Sequence, residues 1–170
     1  QRQMCIRDRD VLLAGEYPGG GDLDRARRQL RRLLVGGVSQ FIDMTTAGEH
    51  KPYESVLMEE ADLLGVNAVY SNHPVRRHGI PRSPVQTAAI IREIAEAAGE
   101  GVTTYLHGAS GVGRVGLVVG CYLVQSGLPG DRALRKLAIL YSAMEKSAWV
   151  PQIPETDQQV EYVRGWNTDV

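Results

Sequence analysis

Residues 105–116 read YLHGASGVGRVG, which is the strongest local signal in the chain. An apolar run, residues 102–106, ends in His107, and a loop with three glycines leads through Arg114 into a second apolar run. A buried strand, a tight turn and a helix have this pattern. Backbone N–H groups of such a turn, at the start of a helix, together bind an anion, and an arginine beside them holds two phosphate oxygens. The stretch therefore predicts a strand, an anion-binding loop and a helix, in that order.

Two kinds of nucleotide-binding loop have similar glycine spacing. The pattern of a nucleotide P-loop is met only in its glycines, because Arg114 stands where a lysine is required and Val115 where a hydroxyl group binds magnesium. The turn HGASGVG is also similar to the glycine turn of zinc-free quinone oxidoreductases. That fold needs a strand ending in Asp or Glu about 20 residues later, but residues 130–146 have a helical pattern. An NAD(P)-binding oxidoreductase therefore stays a remote alternative.

The rest of the chain alternates short apolar strands with amphipathic helices. Strands are predicted at residues 11–14, 38–44, 66–70 and 102–106. Helices are predicted at residues 22–34, 53–64, 83–98, 115–125, 128–144 and 155–166. Ser83 is expected to cap the third helix, with Pro84 in its first turn. This alternation predicts an α/β sandwich with a largely parallel central sheet.

Composition and charge limit the classes of function. The chain has 170 residues, 43% of them hydrophobic and 23% charged, which suits one soluble domain with a core. Its net charge of −1 gives no general attraction to nucleic acid or to a membrane surface. One dense basic run follows an amphipathic helix pattern and is predicted to be a solvated helix face, with a patch for an acidic partner as the alternative. Its members are Arg25, Arg27, Arg28, Arg31 and Arg32.

The two cysteines, Cys5 and Cys121, are far apart in sequence, so they predict neither a disulfide framework nor a metal site. No stretch is apolar over the length that a bilayer requires, and no secretory signal pattern precedes the first strand. We therefore expect a cytoplasmic protein with no metal and no cofactor. Residues 1–9, QRQMCIRDR, lack periodicity, and MCIRDR is similar to the translated end of a sequencing-library adaptor. We expect residues 1–9 to be a non-native or disordered leader and residues 10–170 to form a single domain.

The loop and several other segments resemble the bacterial dual-specificity phosphatase-like proteins within the cysteine-based protein tyrosine phosphatase superfamily. The spacing from His107 to Arg114, with Gly111 between them, matches the loop pattern H-C-x-x-G-x-x-R of that superfamily. Other segments are similar in the same order along the chain: LLAGEYPG (12–19), FIDMTTAGE (41–49), the pair Pro52-Tyr53, GVGRVGLVVGCYLVQSGL (111–128) and PETDQQVEYVRGW (154–166). The resemblance covers residues 11–166. It implies a three-layer phosphatase-like sandwich, with a central sheet of four to five strands flanked by about six helices.

Aligned with this family, the chain lacks the groups that carry out the reaction. The resemblance places the nucleophilic cysteine at Gly108, which has no side chain, and the hydroxyl of the loop at Val115. It places the general acid of the pattern P-x-R-D-x-x-x-P at Arg77, and an arginine stays protonated. Cys121 is no substitute, because it falls two turns into an apolar helix. Hydrolysis of a phosphate monoester requires accelerations of up to ~10²¹-fold, so we expect an inactive member of the family, a pseudophosphatase.

Phosphate binding is expected to survive these losses. The phosphate-binding residues implied by the resemblance are Gly108, Ala109, Ser110, Gly111, Val112, Gly113 and Arg114. Arg76 and Arg77 are expected to add positive charge, and His107 to orient the loop through hydrogen bonds. Asp43 is given a structural role, and Gln159 a capping or packing role. The expected partner is a phosphorylated protein or a small phosphate ester; the alternative is an active phosphatase whose sequence is altered at residue 108.

Overall fold

Five strands and six α-helices make up the chain in the computed structural model, which describes residues 3–6 by their backbone and residues 12–169 in full. The strands are β1 (Gln3–Ile6), β2 (Leu12–Gly15), β3 (Val38–Asp43), β4 (Val69–Asn72) and β5 (Thr103–His107). The helices are α1 (Leu23–Val35), α2 (Glu54–Leu64), α3 (Pro84–Gly99), α4 (Gly113–Gln125), α5 (Gly130–Ser142) and α6 (Asp157–Arg164). A short 3-10 helix (Glu145–Ala148) lies between α5 and α6.

The sheet has the strand order β1-β2-β5-β3-β4, with β2, β5, β3 and β4 parallel and β1 antiparallel to β2. Gly15 and Asp43 both lie opposite His107 in the two neighbouring strands. The carboxyl ends of these parallel strands therefore meet at one edge of the sheet, and the segments that follow them lie side by side. The predicted α/β sandwich, with its largely parallel sheet and six helices, is confirmed.

Alternation along the strands divides the core into two layers, because successive side chains of a strand point to opposite faces. Phe41 and Tyr105 belong to one buried cluster, which includes residues of α1 and α2. Ile42 and Leu106 belong to the other cluster, which includes residues of α3, α4, α5 and α6. The sheet is thus the middle layer of three, and it fixes where the loop after β5 begins.

Several predicted boundaries differ from the structure. The strand predicted at residues 66–70 begins at Val69, because the end of α2 involves Gly65 in the left-handed region (φ +66°) and the N–H of Val66 donates to the Ala61 carbonyl. Residues 66–68 therefore connect the end of α2 to β4. Ser83 has the extended backbone of an N-cap, but its side chain accepts no hydrogen bond, so the predicted cap is wrong; Pro84 does begin α3.

Residues 3–6 form the edge strand β1, with Gln3 opposite Gly15 and Ile6 opposite Leu12. The prediction of a non-native or disordered leader covered residues 1–9, of which 1–2 and 7–9 lie outside the described residues. The four described residues pair with the sheet, and their non-native origin stays a prediction.

The arginine-rich face of α1 is only partly a solvated surface. Arg27 Nη1 and Arg31 Nη2 each lie 2.7 Å from a carboxylate oxygen of Glu60 on α2, and the Glu60 side chain is buried. Arg27 also pairs with Glu59. The remaining three arginines of the run, Arg25, Arg28 and Arg32, are exposed. The run therefore forms ion pairs between α1 and α2 on one side and faces solvent on the other.

Candidate functional site

The loop of residues 108–113 leads from β5 into α4, which begins at Gly113, at the edge where the parallel strands end. Gly111 has a φ of +72°, and a Cβ atom there would lie 2.5 Å from both the carbonyl carbon and the carbonyl oxygen of Gly15. A side chain at this position is excluded by the backbone conformation and by the close approach of the two segments. The glycine predicted to shape the loop is therefore required for it to pack against β2.

Replacing Gly111 with Ala is expected to lower the free energy of unfolding by about 2 to 4 kcal/mol, because both a left-handed backbone and a clash with Gly15 must be relieved. Gly48 provides the matched control, since its φ is +79° but a Cβ atom there meets nothing within 4 Å. Gly48→Ala should cost about 1 kcal/mol from backbone strain alone. Urea unfolding of the two variants measures the difference. Equal costs would show that the contact with Gly15 is easily relieved.

The carbonyl groups of the loop face its supporting segments. The Ala109 carbonyl accepts from the N–H of Tyr17 (3.2 Å), and the Ser110 carbonyl accepts from Lys146 Nζ (2.7 Å). The His107 carbonyl accepts from the N–H of Met44 (2.9 Å). In a trans peptide the N–H points away from the C=O. The N–H groups of the three following residues therefore point away from these partners.

None of the N–H groups of residues 108–113 donates to a protein group in the part of the chain that the structure describes. Lys146 secures the outer side of the loop, because its ammonium group also lies 3.1 Å from Glu16 Oε2 in the segment after β2. Val112, at the N-cap position of α4, provides no side-chain cap. The loop is thus held through its carbonyl groups, while its donors have no protein acceptor.

Arg114, in the first turn of α4, is nearly buried, and one end of its guanidinium group is fully occupied. Its Nη1 donates to the carbonyls of Met44 (3.1 Å) and Val75 (2.8 Å) and to Glu49 Oε2 (2.9 Å). Its Nη2 donates to Glu49 Oε1 (2.6 Å). A guanidinium group has five N–H donors. Nε–H and the second N–H of Nη2 therefore have no acceptor within residues 12–169.

The unoccupied edge of Arg114 faces Gly108. A Cβ atom built on Gly108 would lie 3.3 Å from Arg114 Nε and 3.6 Å from Nη2. The φ of Gly108 is outside the left-handed region, so its backbone conformation is open to residues with a side chain. The position of the missing side chain thus adjoins the two free donors of the arginine.

Glu49 fixes the orientation of Arg114, and its carboxylate also accepts from the N–H and the hydroxyl of Thr46 (3.0 and 3.1 Å). Hydrogen bonds from Arg114 are the largest cause that lowers the pKa of Glu49, to about 2 from its ordinary value of 4.5. Glu49 is therefore ionised throughout the neutral range, and the ion pair with Arg114 is permanent there.

This ion pair predicts a stability loss in acid. Because the pKa of Glu49 is lower in the folded state than in the unfolded state, its contribution is complete above pH 4.5 and is lost as the pH falls towards 2. Glu49→Gln should lack this pH-dependent contribution to the free energy of unfolding. Between about pH 5 and about pH 3, the unfolding free energy should fall by roughly 2 kcal/mol more in the natural chain than in Glu49→Gln. Urea titrations at the two pH values measure the difference, and parallel losses would contradict the assignment.

His107 lies at the end of β5 and is completely buried. Its Nε2 lies 2.6 Å from Tyr53 Oη, while Nδ1 has no hydrogen-bond partner in the described chain and lies 3.8 Å from Asp43 Oδ1. Burial lowers the pKa of His107 to about 4, so the ring is neutral near pH 7. The ring binds Tyr53, and it also interacts with the backbone of Gly108, the first residue of the loop, which raises its pKa against the larger effect of burial. A role for this side chain in orienting the loop stays a prediction.

Asp43 and Gln159 have the supporting positions expected of them. Asp43 is buried at the end of β3, where its carboxylate accepts from the N–H of Thr45 (2.7 Å) and from Tyr70 Oη (3.0 Å). Gln159 is buried in α6 and completes a capping box with Thr156. Its Nε2 also donates to the Gly79 carbonyl (2.8 Å), which links α6 to the segment before α3.

Arg77 lies in an exposed turn closed by a hydrogen bond from the N–H of Gly79 to the Arg76 carbonyl (3.0 Å). His78 in this turn has a φ of +59°, and its Nδ1 lies 3.2 Å from Glu155 Oε2. Neither Arg76 nor Arg77 forms an ion pair with a residue of the described chain. The turn begins directly after Val75, whose carbonyl accepts from Arg114 Nη1 (2.8 Å).

Comparison with protein-family models assigns residues 19–162 to the family described as Swiss Army Knife protein, DSP-PTPase phosphatase domain. The chain belongs to this dual-specificity phosphatase family. The match includes the whole glycine loop, Arg114 and the turn around Arg77. None of these similarities supports the oxidoreductase alternative. A comparison with curated proteins found no match.

Solved structures agree with the assignment to the phosphatase fold. Tk-PTP in its active form has a TM-score of 0.68 and 21% identity, over 95% of this chain and 93% of that chain. PTPMT1 in complex with PI(5)P has a TM-score of 0.64 and 18% identity, over 92% and 89%. TpbA of P. aeruginosa in complex with pTyr has a TM-score of 0.64 and 15% identity, over 94% and 82%. At these identities the likeness establishes the fold.

Cys121 and Trp166 of this phosphatase domain lie in the core, as the sequence predicted. Cys121 is fully buried in α4, and burial raises the pKa of its thiol well above the ordinary value. Trp166 packs in the larger buried cluster, and its indole N–H donates to Gln125 Oε1 (3.2 Å). The Cys121 thiol is therefore not available as a reactive group. Within residues 3–6 and 12–169, no helix has both the length and the apolar character needed to cross a membrane.

Sequence reasoning assigned no role to Glu49, Lys146 or Glu155, all of which lie at the site. Glu49 was quoted within a segment similar to the phosphatase family, but nothing in that segment identifies Arg114 as its partner. Lys146 follows α5 in a polar stretch with no motif. Glu155 lies in the similar segment 154–166, and its Oε2 would be 3.0 Å from a Cβ atom at Gly113. Lys146 binds Ser110, Glu49 binds Arg114, and Glu155 lies near Gly113, each across a long separation in sequence.

Proposed function

We propose that this chain is a catalytically inactive member of the dual-specificity phosphatase family that binds a phosphorylated group through residues 108–114. The observation that carries the proposal is the pattern of occupied and free hydrogen-bond donors on Arg114. Four hydrogen bonds hold its Nη1 and Nη2 groups, and its side edge, Nε–H and one N–H of Nη2, is free and faces Gly108. That edge fits two oxygens of a phosphoryl group, since parallel N–H donors bind phosphate in bidentate fashion.

The backbone of the loop supplies the other donors. The N–H groups of Gly108, Ser110 and Gly111 point away from the segments that bind the loop carbonyls, and they have no acceptor in the described chain. The start of α4 adds the partial positive charge of a helix N-terminus. Replacing a thiolate by Gly108 also removes a negative charge from the site. Each of these features favours a bound anion.

Inactivity follows from the same residues. Gly108 offers no nucleophile, and Cys121 is buried with a raised thiol pKa. Arg77 cannot protonate a leaving group. His78, its neighbour, is engaged with Glu155. In a different enzyme class, transition-state binding without the nucleophile leaves about 10³ to 10⁴-fold acceleration, far below what hydrolysis of a phosphate monoester requires.

The ligand class is a phosphate monoester. Two similar structures were determined with such groups, TpbA with pTyr and PTPMT1 with PI(5)P. Here the corresponding partner would be a phosphorylated side chain or a small phosphate ester, recognised without being hydrolysed. Such a domain shields its ligand or serves as an adaptor.

Titration with phenyl phosphate, followed by calorimetry and by amide chemical shifts, tests this function. We expect saturable binding, with the largest shifts at residues 108–114, and no release of phosphate. A protein that is folded but shows no saturable shift in the loop would refute phosphoryl binding. Release of phosphate by the chain as it stands would refute inactivity.

One observation favours the second candidate, an active phosphatase whose natural residue 108 is cysteine. The Gly108 backbone accepts a side chain, and the closest contact of a Cβ atom is the Arg114 side chain at 3.3 Å. Sequencing the gene at codon 108 separates the two candidates. Arg77 would still limit protonation of the leaving group in that case.

A further inference from the structure

A hollow adjoins the proposed phosphate-binding loop, and no residue of 108–114 lines it. Its volume is about 350 Å³. The walls come from the segment after β3 and from the segment between β4 and α3. They are formed by Thr46, Pro74, Val75, Arg76, Ile80 and Arg82.

The hollow has two cationic walls without carboxylate partners. Arg76 and Arg82 are exposed, and neither guanidinium group binds a residue of the described chain. The acidic side chains of the neighbouring segments are occupied, since Glu49 binds Arg114 and Thr46, and Glu155 contacts His78. By contrast, Arg114 and the two arginines that bind Glu60 are all paired. The positive charge of the hollow is therefore available to a ligand.

The hollow shares its frame with the proposed phosphate-binding loop. Val75 lines it, and the carbonyl of the same residue accepts from Arg114 Nη1 at 2.8 Å. Thr46 also lines it, and its N–H and hydroxyl bind the Glu49 carboxylate that orients Arg114. On the other side, Gln159 Nε2 holds the Gly79 carbonyl at 2.8 Å. The same contacts therefore fix the positions of both sites.

We propose that the hollow is a second anion-binding site, so that the natural ligand carries two phosphate groups, one at residues 108–114 and one between Arg76 and Arg82. The phosphate group placed at residues 108–114 rests on the proposed function. Arg76 and Arg82 both line the hollow, and guanidinium groups bind phosphate through charge-assisted hydrogen bonds. A ligand with a single phosphate leaves the second site empty and binds more weakly.

A series of α,ω-alkanediol bisphosphates with two to six methylenes tests the proposal, each beside the alkyl monophosphate of the same length. Calorimetry at fixed ionic strength gives the ratio of the two affinities. At one or more lengths the bisphosphate should bind at least about tenfold more tightly, since two linked groups bind as one ligand. In Arg76→Ala with Arg82→Ala, this ratio should fall below about threefold.

Arg28→Ala with Arg32→Ala is the matched control, because it removes the same charge from an exposed pair on α1. Its affinity ratio should stay as in the natural chain. A ratio below threefold at every length would overturn the proposal. An undiminished ratio in the Arg76 and Arg82 variant would also overturn it.

The second site is also tested independently of the first. With inorganic phosphate as the probe, amide shifts at residues 76–82 should saturate in the natural chain and vanish in Arg76→Ala with Arg82→Ala, while shifts at residues 108–114 persist. Absence of the shifts at residues 76–82 overturns the second site even if the loop binds phosphate. Absence of shifts at residues 108–114, with the shifts at 76–82 present, refutes the proposed function and leaves the hollow as an anion site.

Discussion

The double variant Gly108→Cys with Arg77→Asp is expected to hydrolyse para-nitrophenyl phosphate about 10³-fold faster, or more, than the chain as it stands, because it restores a nucleophile and a proton donor. The loop N–H groups and the start of α4 should lower the pKa of the new thiol, so that a thiolate exists near neutral pH. The new Cβ atom would lie 3.3 Å from Arg114 Nε, which requires a shift of a few tenths of an ångström. Release of nitrophenolate measures the rate.

Three controls separate the contributions to this result. Gly108→Ser adds a side chain of similar size that does not ionise, so it should stay inactive. Gly108→Cys alone should recover only part of the rate, because no residue protonates the leaving oxygen. Arg77→Asp alone should remain inactive. If the double variant is folded and binds phosphate but does not turn over, the loop lacks the geometry of the phosphatase family.

Arg114→Ala should weaken binding of phenyl phosphate by on the order of 100-fold or more. It removes two hydrogen bonds to a charged ligand, and each contributes roughly 1.5 to 3 kcal/mol. The same variant leaves Glu49 without its ion-pair partner and removes the donor to the carbonyls of Met44 and Val75. The free energy of unfolding should therefore also fall by about 3 to 5 kcal/mol.

Arg114→Ala with Glu49→Ala separates recognition from stability. Removing both partners avoids the unpaired carboxylate, so this double variant should be more stable than Arg114→Ala alone. Its binding of phenyl phosphate should stay as weak as that of the single variant. Calorimetry and urea unfolding on the same samples provide both quantities. Binding at the natural level by a folded double variant would show that the arginine plays no part in recognition.

The strand, the glycine loop and the helix were predictable because their signals are local. The three glycines and Arg114 lie within residues 108–114 with one apolar run directly on each side, and Gly111 does adopt the left-handed backbone that the pattern requires. The layered fold was predictable for the same reason, since strand and helix periodicities alternate along the chain. The start of β4 was not predictable, because the hydrogen bond from the N–H of Val66 to the Ala61 carbonyl shifts the path of the chain after α2.

The contacts of the candidate site could not be predicted, because they join distant parts of the sequence. Glu49 and Arg114 are 65 residues apart, and Lys146 and Ser110 are 36 apart. No periodicity or motif in a single sequence pairs such residues. Which edge of the guanidinium group is occupied, and which is free, is decided only by these tertiary contacts. His107 is a similar case, because its partner Tyr53 lies on a different element.

The four bonds that hold Arg114 have a kinetic and entropic consequence. A flexible arginine loses up to about 2 kcal/mol of rotamer entropy when a ligand immobilises it. Here that loss occurs during folding, so the free edge is preorganised before any anion arrives. Association should then be limited by diffusion of the anion into the loop and not by a rearrangement of the side chain.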